Sequence, residues 1–140
     1  MSITKEQFIN ELNQDLQLEY KSIVLYVTQI AALKGAKYQQ TVDELQVHVK
    51  QEVQHAIIVA QQIDFLGGTP STTLPEFGHE SEAQDALETD LELESRQLKR
   101  YRERVQQADD LGLPDVSEAL APVLEETQHH LRDLQSVLAA

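Results

Sequence analysis

Four long runs of apolar residues, stepping by three and four and separated by glycine and proline, constrain this chain to an all-helical fold. The first run covers residues 4–33 and aligns Phe8, Leu12, Leu16, Ile23, Tyr26, Ile30 and Leu33 on one face. Gly35 lies just past its end, where a helix-terminating glycine is expected. The second covers residues 39–66 and carries Val42, Leu45, Val49, Ala56, Val59, Ile63 and Leu66. Gly67, Gly68 and Pro70 stop it. The third, residues 80–111, shows Leu87, Leu91, Leu98, Tyr101, Val105 and Ala108, and ends at Gly112 and Pro114. The fourth, residues 115–138, shows Val116, Ala119, Val123, Leu134 and Val137, with Pro114 or Asp115 opening it. Pro122 falls inside this pattern and is expected to kink the helix or remove one hydrogen bond.

The first and third links are short, so each pair of helices is expected to form an antiparallel hairpin. The middle link, GGTPSTTLPEFGH, is long and rich in turn-forming residues. Such a segment can run the length of a bundle and reverse the sense of the second hairpin. The expected fold is therefore an all-α four-helix bundle with one long crossover between helices 2 and 3. A length of 140 residues suits a single domain spanning residues 1–140.

Each stripe carries a glutamate where the pattern asks for an apolar residue: Glu19, Glu52, Glu94 and Glu126. A buried, uncompensated carboxylate costs several kcal/mol, and four facing one another would also repel. Proton sharing would relieve part of this penalty, and two divalent cations nearly all of it. Histidine follows three residues after two of these glutamates, in Glu52-Val-Gln-His55 and Glu126-Thr-Gln-His129. This spacing puts both side chains on one helical face, so they can bind the same ion. One glutamate from each of two helices, with Glu-x-x-His from each of the others, is the ligand set of carboxylate-bridged dimetal bundles. The halves also echo each other, because Glu19 precedes Tyr26 by seven residues and Glu94 precedes Tyr101 by seven. Glu52 lies 33 residues after Glu19, and Glu126 lies 32 after Glu94.

Several residues keep two readings. Tyr26 and Tyr101 either fill the core or donate to the opposite half's glutamate, since a buried phenol needs a partner. His130, four residues from Glu126, is the alternative to His129, and the match with Glu52 and His55 favours His129. Gln51 and Glu125 are candidate outer partners for the histidines across the bundle, or simply solvated. His48 and His79 are expected at the surface. Tyr20, Tyr38 and Phe77 fit no inward stripe and are candidate contact residues for a partner.

The formal charge of −13 disfavours nucleic acid and anionic membranes as partners and attracts cations. The absence of cysteine removes thiol catalysis and zinc-thiolate sites. No stretch reads as a membrane span, and the polar N-terminus lacks a signal-peptide core, so a cytoplasmic location is expected.

The segments LEYKSIVLY, QEVQHAIIVAQQIDFLGGTP, DLELESRQLKRY and LEETQHHL resemble the ferritin-like di-iron carboxylate family, in its bacterioferritin and rubrerythrin branch. The resemblance implies two iron ions per chain, with manganese as the alternative metal. It makes Glu52 and Glu126 the bridging ligands, Glu19 and Glu94 the terminal ones, and places His55 and His129 one on each ion. Tyr26 would stand next to the site. The implied activity is oxidation of Fe(II) with O2 or H2O2. The alternatives are a rubrerythrin-like peroxidase without its own electron-transfer domain, and a non-enzymatic iron-storage or structural bundle. A homo-oligomer of at least two chains is implied as well. Three departures narrow the resemblance. Val53 stands where bacterioferritin has its haem-binding methionine, so haem is not expected. No fifth helix follows the fourth, so the 24-subunit cage is not expected. Gln97 stands where rubrerythrin has an additional carboxylate.

Overall fold

The computed structural model describes residues 2–139 and contains four long helices: α1 (Lys5–Ala32), α2 (Gln39–Phe65), α3 (Ala83–Asp110) and α4 (Pro114–Ala139). Thr4 caps α1 in a reciprocal capping box: its hydroxyl accepts from the Gln7 backbone, and the Gln7 side chain accepts from the Thr4 backbone. Gly35 and a single 3-10 turn (Ala36–Tyr38) connect α1 to α2. Helices α2 and α3 end alike. Gly67 and Gly112 take positive φ (89° and 74°), and the next residue's N–H returns to the carbonyl five residues back. This is the glycine-dependent Schellman arrangement. Pro114 opens α4. The helix continues through Pro122, which sits on the exposed side, where water can satisfy the carbonyl freed by its missing N–H.

The crossover runs along α1. Asn13 bonds the backbone of Thr69 and Ser71, Gln17 bonds the Ser71 hydroxyl, and the Tyr20 hydroxyl donates to the Ser71 carbonyl. Further along, Phe77 packs against Leu18, Leu25 and Leu93. Two of the candidate partner-contact residues, Tyr20 and Phe77, are thus engaged within the chain, because the crossover needs anchors on α1. The chain returns to the far end of α1 before α3 begins, so α3 runs antiparallel to α1 and parallel to α2. Helix α1 packs against α2 and α3, and α4 packs against α3 and α2.

Two apolar clusters fill the bundle. One gathers Phe8, Leu12, Leu16, Val59, Ile63, Tyr101, Val116, Leu120 and Val123. The other gathers Tyr26, Leu45, Leu87 and Leu134. Complete burial of each large apolar side chain contributes about 1.5–3 kcal/mol. Between the clusters lies a layer of buried polar side chains.

Candidate metal centre

Every helix sends ionisable groups into this layer. Glu19 from α1, Glu52 and His55 from α2, Glu94 from α3 and His130 from α4 are each at most 1% exposed. One ligand atom from each of Glu19, Glu52 and His55 falls within a 4.8 Å cluster, and Glu52, Glu94 and His130 make a second. Glu52 is common to both. Nδ1 of His55 lies 3.7 Å from Glu19 and 3.6 Å from Glu52, and Nδ1 of His130 lies 2.8 Å from Glu52 and 3.5 Å from Glu94.

The outer nitrogens are held from behind. Nε2 of His130 donates to the Gln51 carbonyl oxygen at 2.6 Å, and Nε2 of His55 donates to Glu126 at 2.7 Å. Partners of this kind fix the ring orientation and leave Nδ1 facing inward. The phenols cross between halves: Tyr26 donates to Glu94 at 2.8 Å and Tyr101 to Glu19 at 2.6 Å. Burial and the neighbouring carboxylates push both phenols well above their ordinary range, so they stay protonated as donors. Burial, with the charges of Glu19 and Glu94, also raises Glu52 well above the usual carboxylate range. For His55, burial acts downward, but Glu19 and Glu126 outweigh it and the imidazole is raised.

The donor set suits a metal pair. One oxygen on each of Glu19, Glu52 and Glu94, and Nδ1 of His55, are buried without a hydrogen-bond partner. Such atoms are costly to leave unmatched, and all four converge on one layer. Carboxylate with imidazole is a set suited to iron or manganese.

The structure corrects the register of the fourth helix. His129 is exposed, and His130 takes the inward position. Glu126 is not within the layer: its side chain is 39% exposed and reaches His55 only at the outer nitrogen. The buried face of α4 runs Val116, Leu120, Val123, Thr127, His130, Leu134. Ala119 and Glu126 lie one position off this face. A sequence signal for the correct register exists. Leu12 and Leu87, Asp15 and Asp90, Glu19 and Glu94, Tyr26 and Tyr101, and Leu45 and Leu120 are all 75 residues apart. The same offset pairs His55 with His130 and Glu52 with Thr127.

Of the candidate outer partners, Gln51 fills the role for His130, while Glu125 is exposed. His48 is buried rather than at the surface. Its ring stacks on His130 with centroids 4.1 Å apart, and Nε2 bonds Asp133 at 3.1 Å. Position 48 sits three residues after Leu45 and four before Glu52, on the buried face of α2, which turns it inward. His79 is exposed on the crossover, as expected. No helix of the described residues is long and apolar enough to cross a membrane.

A comparison with curated proteins finds no match. Among solved structures, a ferritin-like, diiron-carboxylate protein from Bacillus anthracis strain Ames is 28% identical, with a TM-score of 0.91 over 99% of both chains. The bacterioferritin of Desulfovibrio desulfuricans, a protein with a diiron site, is 23% identical. It superposes with a TM-score of 0.87 over 96% of this chain and 80% of its own, a likeness of fold. The family model for the ferritin-like domain matches residues 9–140. A bundle of this topology, with that match along nearly its whole length, makes the chain a member of the ferritin-like domain family.

Proposed function

We propose that the protein binds two iron ions in this layer and oxidises Fe(II) with O2 or H2O2. One observation carries the reading: two buried ligand clusters, each of two carboxylates and a histidine, share Glu52. Glu19, Glu52 and His55 would hold one ion, and Glu52, Glu94 and His130 the other. The diiron-carboxylate description of the Bacillus anthracis structure, at 28% identity, supports the choice of metal. Two ferrous ions held there would supply the two electrons that such an oxidant takes up. The chain's own residues set the conditions. Glu52 spans both positions, Tyr26 and Tyr101 fix one oxygen of each terminal carboxylate, and the apolar clusters on either side exclude bulk water.

Gln97 is buried and accepts from Ser22 Oγ at 3.3 Å, so the position three residues after Glu94 carries no further carboxylate. That observation favours Fe(II) oxidation over a rubrerythrin-like cycle. Assembly of at least two chains belongs to the same reading. It is supported by exposed Val53 and Ile57, one turn apart on α2. Anaerobic loading with Fe(II) should give close to two iron ions per chain, and an oxidant should then produce a ferric near-ultraviolet absorption. A purified protein that takes up neither iron nor manganese would rule out the proposal.

A further inference from the structure

Thr127 occupies the place in the second half that Glu52 occupies in the first. It is buried on α4 one turn before His130, as Glu52 is one turn before His55. Its hydroxyl donates to the Val123 carbonyl of its own helix at 2.7 Å and is therefore committed locally. The carboxylate nearest in sequence, Glu126, points to the outer nitrogen of His55. We infer that the centre has a single internal bridging carboxylate, Glu52, and that its two metal positions are consequently unequal. The inference rests on the dimetal reading above and goes beyond it, because the matching ligand of a symmetric site is absent here.

Charge makes the second ion the weaker one. Glu19, Glu52 and Glu94 bring at most three negative charges against the four positive charges of two divalent ions. The first ion is over-compensated and the second is not. The outer partners decide which position fills first. His55 is backed by the carboxylate of Glu126, whereas His130 is backed by the neutral amide of Gln51. A carboxylate behind a ligand imidazole makes it a better donor. The position formed by Glu19, Glu52 and His55 is therefore the tight one, and the position at His130 is the weak, exchangeable one. Glu126 is a positioning residue for His55 and not a ligand.

Calorimetric titration of the full-length, metal-free protein with Co(II), read together with the cobalt absorption spectrum, tests this. The wild type should show two events, the second at least about 10-fold weaker than the first. Glu126→Gln should weaken the first event by about 10–100-fold while keeping a stoichiometry of two. Thr127→Glu should bring the two affinities close together. Thr127→Ala, which avoids burying a new charge, should leave both events unchanged and keeps the test decisive if Thr127→Glu does not fold. Two equal events in the wild type would overturn the inference. So would loss of one ion in Glu126→Gln or in Thr127→Ala, since either residue would then be a ligand. A wild type that binds no cobalt while Thr127→Glu binds two would sink the dimetal function and the tight position at His55 with it, whereas two equal events in the wild type overturn the inference and leave the function standing. If neither binds, both fall.

Discussion

The two halves of the bundle superimpose in sequence at a 75-residue offset, yet they solve the same problems with different residues. Asp15 and Asp90 are equivalent and both buried. Asp15 bonds two guanidinium groups, Arg100 at 2.5 Å and Arg104 at 2.9 Å, with Glu11 completing the network. Asp90 has only the amide of Gln29, which is the counterpart of Arg104. Burial raises both acids, but the two arginines pull Asp15 back to about 6, while Asp90, bonded by Gln29 and repelled by Glu94, lies at about 8. The carboxylate layer diverges in the same manner, with Glu52 opposite Thr127 and His48 opposite Val123. The comparison separates what the buried polar layer keeps in both halves from what it varies. The two inward histidines, the two terminal glutamates and the two tyrosines are matched. Glu52 and the Asp15 salt-bridge network are not.

The sharpest break concerns Glu52, the residue both clusters share. Glu52→Gln should weaken metal binding at both positions by more than about 100-fold, since it alters the only common ligand. The same variant should melt at a higher temperature than the wild type when both are metal-free at pH 7, because its raised carboxyl opposes folding once ionised. A lower melting temperature would mean that Glu52 is compensated within the protein itself.

Next in size is the arginine network. Arg104 is 1% exposed, and Arg104→Met leaves Asp15 with one fewer buried cation. Denaturant unfolding should show a loss of about 3 kcal/mol. At the equivalent position in the other half, Gln29→Ala should cost only about 1 kcal/mol, the loss of one hydrogen bond. Equal losses would show that charge does not distinguish the halves.

The tyrosines should behave as a matched pair. Tyr26→Phe and Tyr101→Phe each remove one bond to a buried carboxylate, and each should cost about 1 kcal/mol in the metal-free protein. A difference much beyond that would locate an asymmetry in the terminal ligands as well.

A pH slope separates the halves as well. Asp90 is raised in the folded state from an ordinary 3.8 to about 8. Between those values the folded chain holds a proton that the unfolded chain has lost, so stability falls as pH rises through this window. Asp90→Asn should flatten the slope, with its advantage over wild type growing from pH 5 to pH 8. Parallel curves for the two proteins would mean that Asp90 is not the titrating group.

Much of this architecture was legible in the sequence. The helical runs agree with the observed helices to within a few residues, because a 3.6-residue periodicity bounded by Thr4, Gly67, Gly112 and Pro114 leaves few alternatives. The long crossover was legible for the same reason. The inward glutamates of α1, α2 and α3 stood out because each interrupts an otherwise apolar stripe. Helix α4 was harder. Val116, Ala119, Val123, Glu126 is a valid helical face, and so is Val116, Leu120, Val123, Thr127. The two differ by a small rotation, and short apolar residues such as Ala119 do not decide between them. His48 was misplaced by a similar ambiguity, with Val49 beside it competing for the inward direction.

By itself the sequence determined four amphipathic helices, a reversal between two hairpins and a set of carboxylates too costly to bury unmatched. Periodicity and turn chemistry are local, and a chain of this length expresses them whatever its neighbours do. Only the tertiary structure decided which of two adjacent histidines faces the centre, that Glu126 supports His55 from behind, and that Thr127 faces inward where a second bridge would be. Those choices depend on the rotation of α4 about its own axis. That rotation is fixed by packing Leu120, Val123 and Leu134 into the apolar clusters contributed by the other helices.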